Sequence, residues 1–438
     1  MEDPAVVRGP PPARLRTDVF LTFGGKAGTL LLGLLIVVLI ARELGPTRQG
    51  VFAVAFSLTL MLIHVGGLGL TTANPYFAAR EENRRPQIVA NSLWLAAALG
   101  LLLVAIGFAV KAVIPEAVEG VDWTTLTVAL AGIPGALAAL FLQSVLLGEG
   151  RMVAYNGVEI VQFALTLAAL ALGFALLDLG VTGSLAVVTA ARWGTAVVYL
   201  GLLARHSPPL ARLDRGLARR MLAYGFRIYL AILASFLVIR LDLLLVNGYL
   251  GSRQAGLYSV AATIADGMFV VPAVVGLNLF PRVARSGAHQ ETAEVFRSVA
   301  VLYGVVCLAT IPLAGPAIRL IFGGDFDGSV SLYFWLLPGI FCLGLVTILS
   351  HHFAGRGYPF QAVVIWYLGL ALNLALNLVF LPGRGAWVAA LASSVTYAAV
   401  LAFHVRLFAR EAGGYGAVRP RLREVVRFVR VAFSKVPG

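Results

Sequence analysis

Residues 44–55, Leu44-Gly45-Pro46-Thr47-Arg48-Gln49-Gly50-Val51-Phe52-Ala53-Val54-Ala55, return 206 positions later. The second copy reads Leu250-Gly251-Ser252-Arg253-Gln254-Ala255-Gly256-Leu257-Tyr258-Ser259-Val260-Ala261. A long apolar run precedes each copy and another follows it. Each following run ends in a basic exit, Phe77-Ala78-Ala79-Arg80 and then Pro281-Arg282-Val283-Ala284-Arg285. An internal duplication laid over apolar runs is a common plan among transporters, with the working site between the copies.

Composition fixes the solvent. The hydrophobic share is 59% and the charged share 13%, with a mean hydropathy of +0.88. A soluble chain carries about 25% charged residues. The apolar runs do not alternate in polarity, which excludes β-barrel strands, so the chain reads as an all-α integral membrane protein. Twelve spans are expected, near 17–41, 51–73, 88–113, 124–147, 154–177, 182–204, 221–248, 256–281, 298–318, 330–350, 358–381 and 386–408. Six spans per copy is even, so both copies enter the membrane from the same side, as a parallel repeat. The expected units are an N-terminal segment 1–16, a six-helix bundle 17–204, a basic linker 205–220, a second six-helix bundle 221–408 and a basic tail 409–438. The first apolar run is too long for a cleaved signal. Cys307 and Cys342 lie in apolar spans and imply no disulfide framework.

Lys and Arg set the orientation. With the N-terminus inside, 24 of the 34 fall on inner segments and six outside: Arg42, Arg48, Lys111, Arg253, Arg319 and Arg384. By the positive-inside rule both termini are expected in the cytoplasm. The net charge of +13 is mostly this topology signal. Nucleic-acid binding is a poor reading of it, because no soluble domain exists to present a groove. Residues 419–435 mix Arg421, Arg423, Arg427 and Arg430 with Val and Phe, the pattern of a basic amphipathic helix on an anionic leaflet. No Walker A sequence occurs, and no outward loop is long enough to fold alone, which argues against an enzyme. No cofactor is implied. His351-His352 has no carboxylate nearby in sequence and reads as an ordinary span end, so no metal site is expected.

Ionisable groups inside spans cost at least ~2.5 kcal/mol each on insertion scales. They are Lys26, His64, Glu159, Arg192, Arg240, Asp242 and Asp266. Helix rise places Arg240 roughly 7 Å and Asp266 roughly 5 Å to the outer side of their midplanes. Those similar depths on consecutive antiparallel spans predict an Arg240–Asp266 pair. Arg240 and Asp242, two apart, point to nearly opposite faces and cannot easily pair. Lys26 sits roughly 6 Å inside its midplane, too deep to snorkel comfortably, with no acid in its own span and glycines at 24, 25 and 28. Arg192 lies mid-span beside Trp193, fit for packing or for lining a cavity. Glu159 shares a helical face with Asn156 and Gln162, which either lines water or packs.

Ala41-Arg42-Glu43-Leu44-Gly45-Pro46 with Gly50-Val51-Phe52 resembles the first-loop motif of the oligosaccharide flippases. So does the second block, Ile239-Arg240-Leu241-Asp242 through Leu250-Gly251 and Ala255–Ala261 to Leu279-Phe280-Pro281-Arg282. The likeness is to the Wzx-like polysaccharide-biosynthesis flippase family, within the superfamily of multidrug, oligosaccharidyl-lipid and polysaccharide exporters. It implies two bundles around a V-shaped central cavity. It also implies transfer of polyprenyl-pyrophosphate-linked oligosaccharides between leaflets of the cell membrane. By analogy the pyrophosphate falls to cavity cations at Lys26 and Arg240, with Arg192 and His64 as further substrate-binding candidates. Asp242, Asp266 and Glu159 are then candidates for ion coupling or a charge network. Implied partners are the lipid-linked oligosaccharide, membrane lipids, and a polysaccharide polymerase and glycosyltransferases. Twelve spans and a single cation in span 1 depart from the lipid II flippase pattern. The alternative reading is an ion-coupled multidrug exporter of the same architecture, which predicts cavity carboxylates in excess of cations.

Overall fold

The computed structural model describes residues 12–205, 213–286, 289–356 and 358–419. Every long element is helical, because in lipid the only way to satisfy each backbone N–H and C=O within one segment is an α-helix. The first half comprises α1 (Pro12–Gly66), α2 (Leu70–Arg80), α3 (Arg85–Val113), α4 (Trp123–Leu130), α5 (Gly132–Gly148), α6 (Met152–Leu177) and α7 (Val181–Ala204). The second comprises α8 (Arg215–Leu250), α9 (Ser252–Met268), α10 (Val270–Ser286), α11 (His289–Phe322), α12 (Gly328–Gly355), α13 (Phe360–Phe380) and α14 (Trp387–Glu411).

Among the described residues, 11 helices are long and apolar enough to cross a membrane. The difference from twelve lies in the first of these, Ala27–Gly66, which has 40 residues. At about 1.5 Å per residue that is roughly 60 Å, twice a bilayer core. Helical geometry fails inside it at Gly45, where φ is 70° and ψ 172°. Gly251, its counterpart in the repeat, has φ 81° and ψ 170° between α8 and α9. Both are left-handed-side backbones that glycine adopts without a Cβ penalty. Gly45 therefore joins two arms of α1, and the twelve spans each coincide with a helix or a broken helix pair.

The duplication is visible in the packing. α1 packs on α6 as α8 packs on α13; α3 on α5 as α11 on α12; α5 on α7 as α12 on α14. The halves meet at the end carrying Gly45 and Gly251, again with two-fold correspondence. A Cβ on Gly50 would lie 1.7 Å from the Ser252 carbonyl oxygen, and one on Gly256 would lie 1.9 Å from the Pro46 carbonyl oxygen. Pro46 and Ser252 are themselves repeat partners, so backbone crosses backbone at a local pseudo-axis. The same end is sealed further out. Asn247 Nδ2 and Ser252 Oγ both donate to the Glu119 carbonyl, at 3.0 and 3.2 Å. Arg42 Nε donates to the Ile321 carbonyl at 2.7 Å.

At the opposite end α8 crosses to the first half. Gly69 and Gly225 touch backbone to backbone. Tyr76 stacks on Tyr224 with centroids 4.3 Å apart, and Arg220 Nη2 reaches Glu81 Oε2 at 2.8 Å. The α8 helix starts at Arg215, six residues before the expected span. Asp214 caps it, its Oδ1 accepting from the Leu217 N–H at 2.9 Å, and Asn91 holds the Asp214 backbone through both its N–H and its C=O. Of the expected linker, residues 206–212 lie outside the described set. So do residues 1–11 and residues 420–438, which carry most of the basic amphipathic tail; α14 itself runs to Glu411.

Candidate functional site

The seam between the halves carries charge at mid-depth. Arg240 Nη2 on α8 lies 2.6 Å from Asp266 Oδ2 on α9, and each side chain keeps about a third of its surface, 32% and 33%. The pairing predicted from depth is present. Across the seam, His64 of α1 lays its ring flat on Phe236 of α8, centroids 3.5 Å apart at an interplanar angle of 9°. Its Nδ1 donates to the Leu60 carbonyl at 2.9 Å, so the neutral ring leaves Nε2 as an acceptor. One residue further along α1, the Val65 carbonyl accepts from the Tyr229 hydroxyl of α8 at 2.6 Å. Phe236 and Arg240, four residues apart, share one face of α8, so His64 of the first half and the Arg240–Asp266 pair of the second lie along the same seam.

Arg192 lies apart from that group. It sits at the midpoint of α7, half-buried, with its guanidinium carbon 5.2 Å from the Phe56 ring centroid on α1. Cation–π attraction of this kind compensates part of the cost of burying a guanidinium. Among the described residues it has no hydrogen bond or ion pair. Its stem lies against Gly132, at the break between α4 and α5. Glu159 belongs to a network inside the first half: Gln143 Nε2 donates to its Oε2 at 3.2 Å and to the Tyr155 carbonyl at 3.2 Å. The structure therefore does not bring Glu159 to Asp242 or Asp266. Lys26 is on α1, and its side chain lies outside the described residues. Its neighbour Gly25 is pressed against Asn156 of α6, where an added Cβ would meet Asn156 at 3.1 Å.

Asp242 faces away from Arg240, as their spacing requires. It is completely buried in the second half. Its carboxylate accepts from the Tyr258 hydroxyl at 3.1 Å and from Asn377 Nδ2 at 3.1 Å, and also from the Ser393 hydroxyl. Asn377 Nδ2 also reaches Asn373 Oδ1 at 3.3 Å, while Asn377 Oδ1 is buried without a partner. Donors from α9, α13 and α14 thus converge on one carboxylate of α8. Sequence reasoning missed Asn373, Asn377 and Ser393. The signal was there: two asparagines at i and i+4 in an otherwise apolar span share one helix face.

A family described as polysaccharide biosynthesis protein matches residues 15–286. The chain belongs to that family. The polysaccharide biosynthesis match covers both repeat motifs and the residues His64, Arg240, Asp242 and Asp266. Among curated relatives, the succinoglycan biosynthesis transport protein ExoT of Rhizobium meliloti (strain 1021) is 28% identical over 373 residues, 78% of this chain and 69% of that protein. Among solved structures, the lipid II flippase MurJ in an inward closed conformation superposes with a TM-score of 0.74 at 13% identity, covering 95% of this chain and 94% of that one. An inward-facing multidrug resistance MATE family transporter of the MOP superfamily superposes at 0.72 with 14% identity, covering 94% and 96%. At these identities the structures establish the fold. This member of the polysaccharide biosynthesis family is a multi-pass membrane protein with the two-bundle fold of those structures.

Proposed function

We propose that the protein is a flippase that carries polyprenyl-pyrophosphate-linked oligosaccharides from the inner to the outer leaflet of the cytoplasmic membrane by alternating access. The observation that carries this reading is the charged group at the seam. Arg240 gives one N–H to Asp266 and keeps others of its five donors for a ligand, in the fork geometry that matches phosphate oxygens. Lys26 is the second cation of the proposed cradle, and Arg192 and His64 line the path. Family membership and the polysaccharide-transport name of the ExoT relative support the substrate class. The Lys and Arg distribution supports cytoplasmic termini, and the packing correspondence supports working units at 17–204 and 221–408. A pyrophosphate head and a hydroxyl-rich glycan need fixed cations in a shielded site while the polyprenyl tail stays in lipid. No bond is made or broken, so no enzyme chemistry is assigned. A polysaccharide polymerase and glycosyltransferases are the natural partners of such a cycle.

In the same proposal, Asp242 is the coupling group. A carboxylate ringed by Tyr258, Asn377 and Ser393, beside an unpartnered amide oxygen, offers oxygen ligands to a proton or a small cation.

The test is flipping of a fluorescent polyprenyl-pyrophosphate sugar in proteoliposomes. Wild type is expected to flip it; Lys26→Ala and Arg240→Ala are expected to insert normally and to lose flipping. Wild-type rates in both variants would remove the pyrophosphate cradle. Failure of folded wild type with imposed ion gradients and varied glycans would promote the ion-coupled exporter of the same architecture.

A further inference from the structure

Away from the seam, the second half gathers three residues at the ends of three helices. His289 opens α11, His352 lies near the end of α12 and Glu411 closes α14. Their ligand atoms all lie within 4.8 Å of one another. His289 Nδ1 and His352 Nε2 stand 3.9 and 3.8 Å from the same Glu411 Oε2. Those separations exceed hydrogen-bond reach, and both ring nitrogens are buried without a hydrogen-bond partner. His352 is wholly buried. Its other nitrogen, Nδ1, is 2.7 Å from Thr292 Oγ1, which fixes the ring with Nε2 toward the carboxylate.

We propose that His289, His352 and Glu411 form a binding site for a divalent transition-metal ion, with zinc as the best chemical match. Two imidazole nitrogens and one carboxylate oxygen are a zinc ligand set with a position left for water. Bond lengths of 2.0–2.2 Å hold tetrahedral donors roughly 3.4 Å apart, so each His–Glu pair closes by about half an ångström. The Thr292 contact supplies the outer-shell orientation that metal-bound histidines characteristically have. The adjacent His351 is excluded from the set; its Nδ1 donates to the Thr347 carbonyl at 2.8 Å. The bound ion would tie together the ends of α11, α12 and α14.

Arg356 makes the proposal sharper. Its Nη1 lies 2.9 Å from His289 Nε2 and its Nε 3.6 Å from Glu411 Oε2. Arginine only donates, so Nε2 accepts and the ring proton sits on Nδ1. A metal on Nδ1 requires that proton to move to Nε2 and Arg356 to withdraw. Arginine and metal therefore compete for the same site.

The experiment is a Co²⁺ titration of the chelator-treated, detergent-purified full chain, followed by the visible d–d absorption and by displacement with Zn²⁺. One site per chain is expected. His289→Gln and Glu411→Gln are expected to weaken binding by ~10-fold or more, and Thr292→Val by ~10-fold through loss of ring orientation. His351→Gln should leave binding unchanged. Arg356→Gln should tighten binding, because it removes the competitor. A merely structural ion-pair cluster gives the opposite sign, since the arginine then holds the group together. Absence of stoichiometric Co²⁺ in wild type overturns the site. So does a signal undiminished in His289→Gln and Glu411→Gln, or a loss of binding in Arg356→Gln.

Discussion

At the scale of single residues, helix phase separates an acid and a base that are close in sequence. Arg240 and Asp242 are two positions apart, and the helix sends one to the seam and the other into the core of the second half. The Arg240–Asp266 pair was legible because depth on consecutive antiparallel spans is simple arithmetic. The Asp242 cluster was not, because two of its three donors, Asn377 and Ser393, come from spans 11 and 12, more than 130 residues away, and spacing carries no distance across a bundle. The same holds for Glu411, which stands 59 residues beyond His352. Asp242→Ala removes the acceptor of the Tyr258 and Ser393 hydroxyls in a buried site, while Asn377 keeps its bonds to Asn373. The expected cost is about 1–3 kcal/mol, measured as a lower unfolding midpoint in detergent. Asp242→Asn, which keeps an oxygen in place, should cost less stability yet abolish any dependence of transport on an ion gradient. Ion-dependent transport surviving in Asp242→Asn would move coupling elsewhere.

Among elements, glycine punctuation decides the architecture. The repeat motif, the breaks at Gly45 and Gly251 and the paired spans were readable from residue spacing. The conformation of the first break was not: Gly45 takes φ 70° and ψ 172°, non-helical values between two helical arms. Nor was the early start of α8, set by the Asp214 cap and its long-range hold by Asn91. Gly50 and Gly256 are required by close approach, not by dihedral angle. Gly50→Ala and Gly256→Ala each force a Cβ into a carbonyl oxygen of the other half and should destabilise by about 1–3 kcal/mol. Gly157→Ala, where nothing lies within 4 Å, should be neutral or stabilising by about 1 kcal/mol, from helix propensity. The double variant Gly50→Ala/Gly256→Ala should cost less than the sum of the singles, since separating the backbones once relieves both contacts. Thermal unfolding of the four proteins decides it, and strict additivity would mean that the two contacts are independent.

For the whole molecule, sequence reading fixed the class, the span order and the parallel duplication, since lipid imposes the same rule on every segment. It did not reveal how the halves meet, which depends on contacts such as Tyr76–Tyr224 and Glu81–Arg220 between distant helices. That ion pair sits at the end away from Gly50 and Gly256, and it joins α8 to the first half. Exposed pairs are worth about 0.2–1 kcal/mol, so Glu81→Arg should shift the balance between joined and separated ends by up to about five-fold. Alkylation of a cysteine placed on the seam face of α8 should rise in Glu81→Arg. It should return toward wild type in Glu81→Arg/Arg220→Glu. Failure of the exchange to restore protection would show that the aromatic contacts alone hold that end.

The glycine crossing has a mechanical consequence. Where two backbones touch without side chains between them, one half can turn against the other without any rotamer having to change. Gly50 and Gly256 form such a fulcrum at one face of the bilayer, and a helix crossing to the other face is a lever about 30 Å long. A tilt of roughly 10° about that fulcrum displaces the far end by about 5 Å, one helical turn. In the proposed cycle, an opening at the far face would need little rearrangement at the crossing.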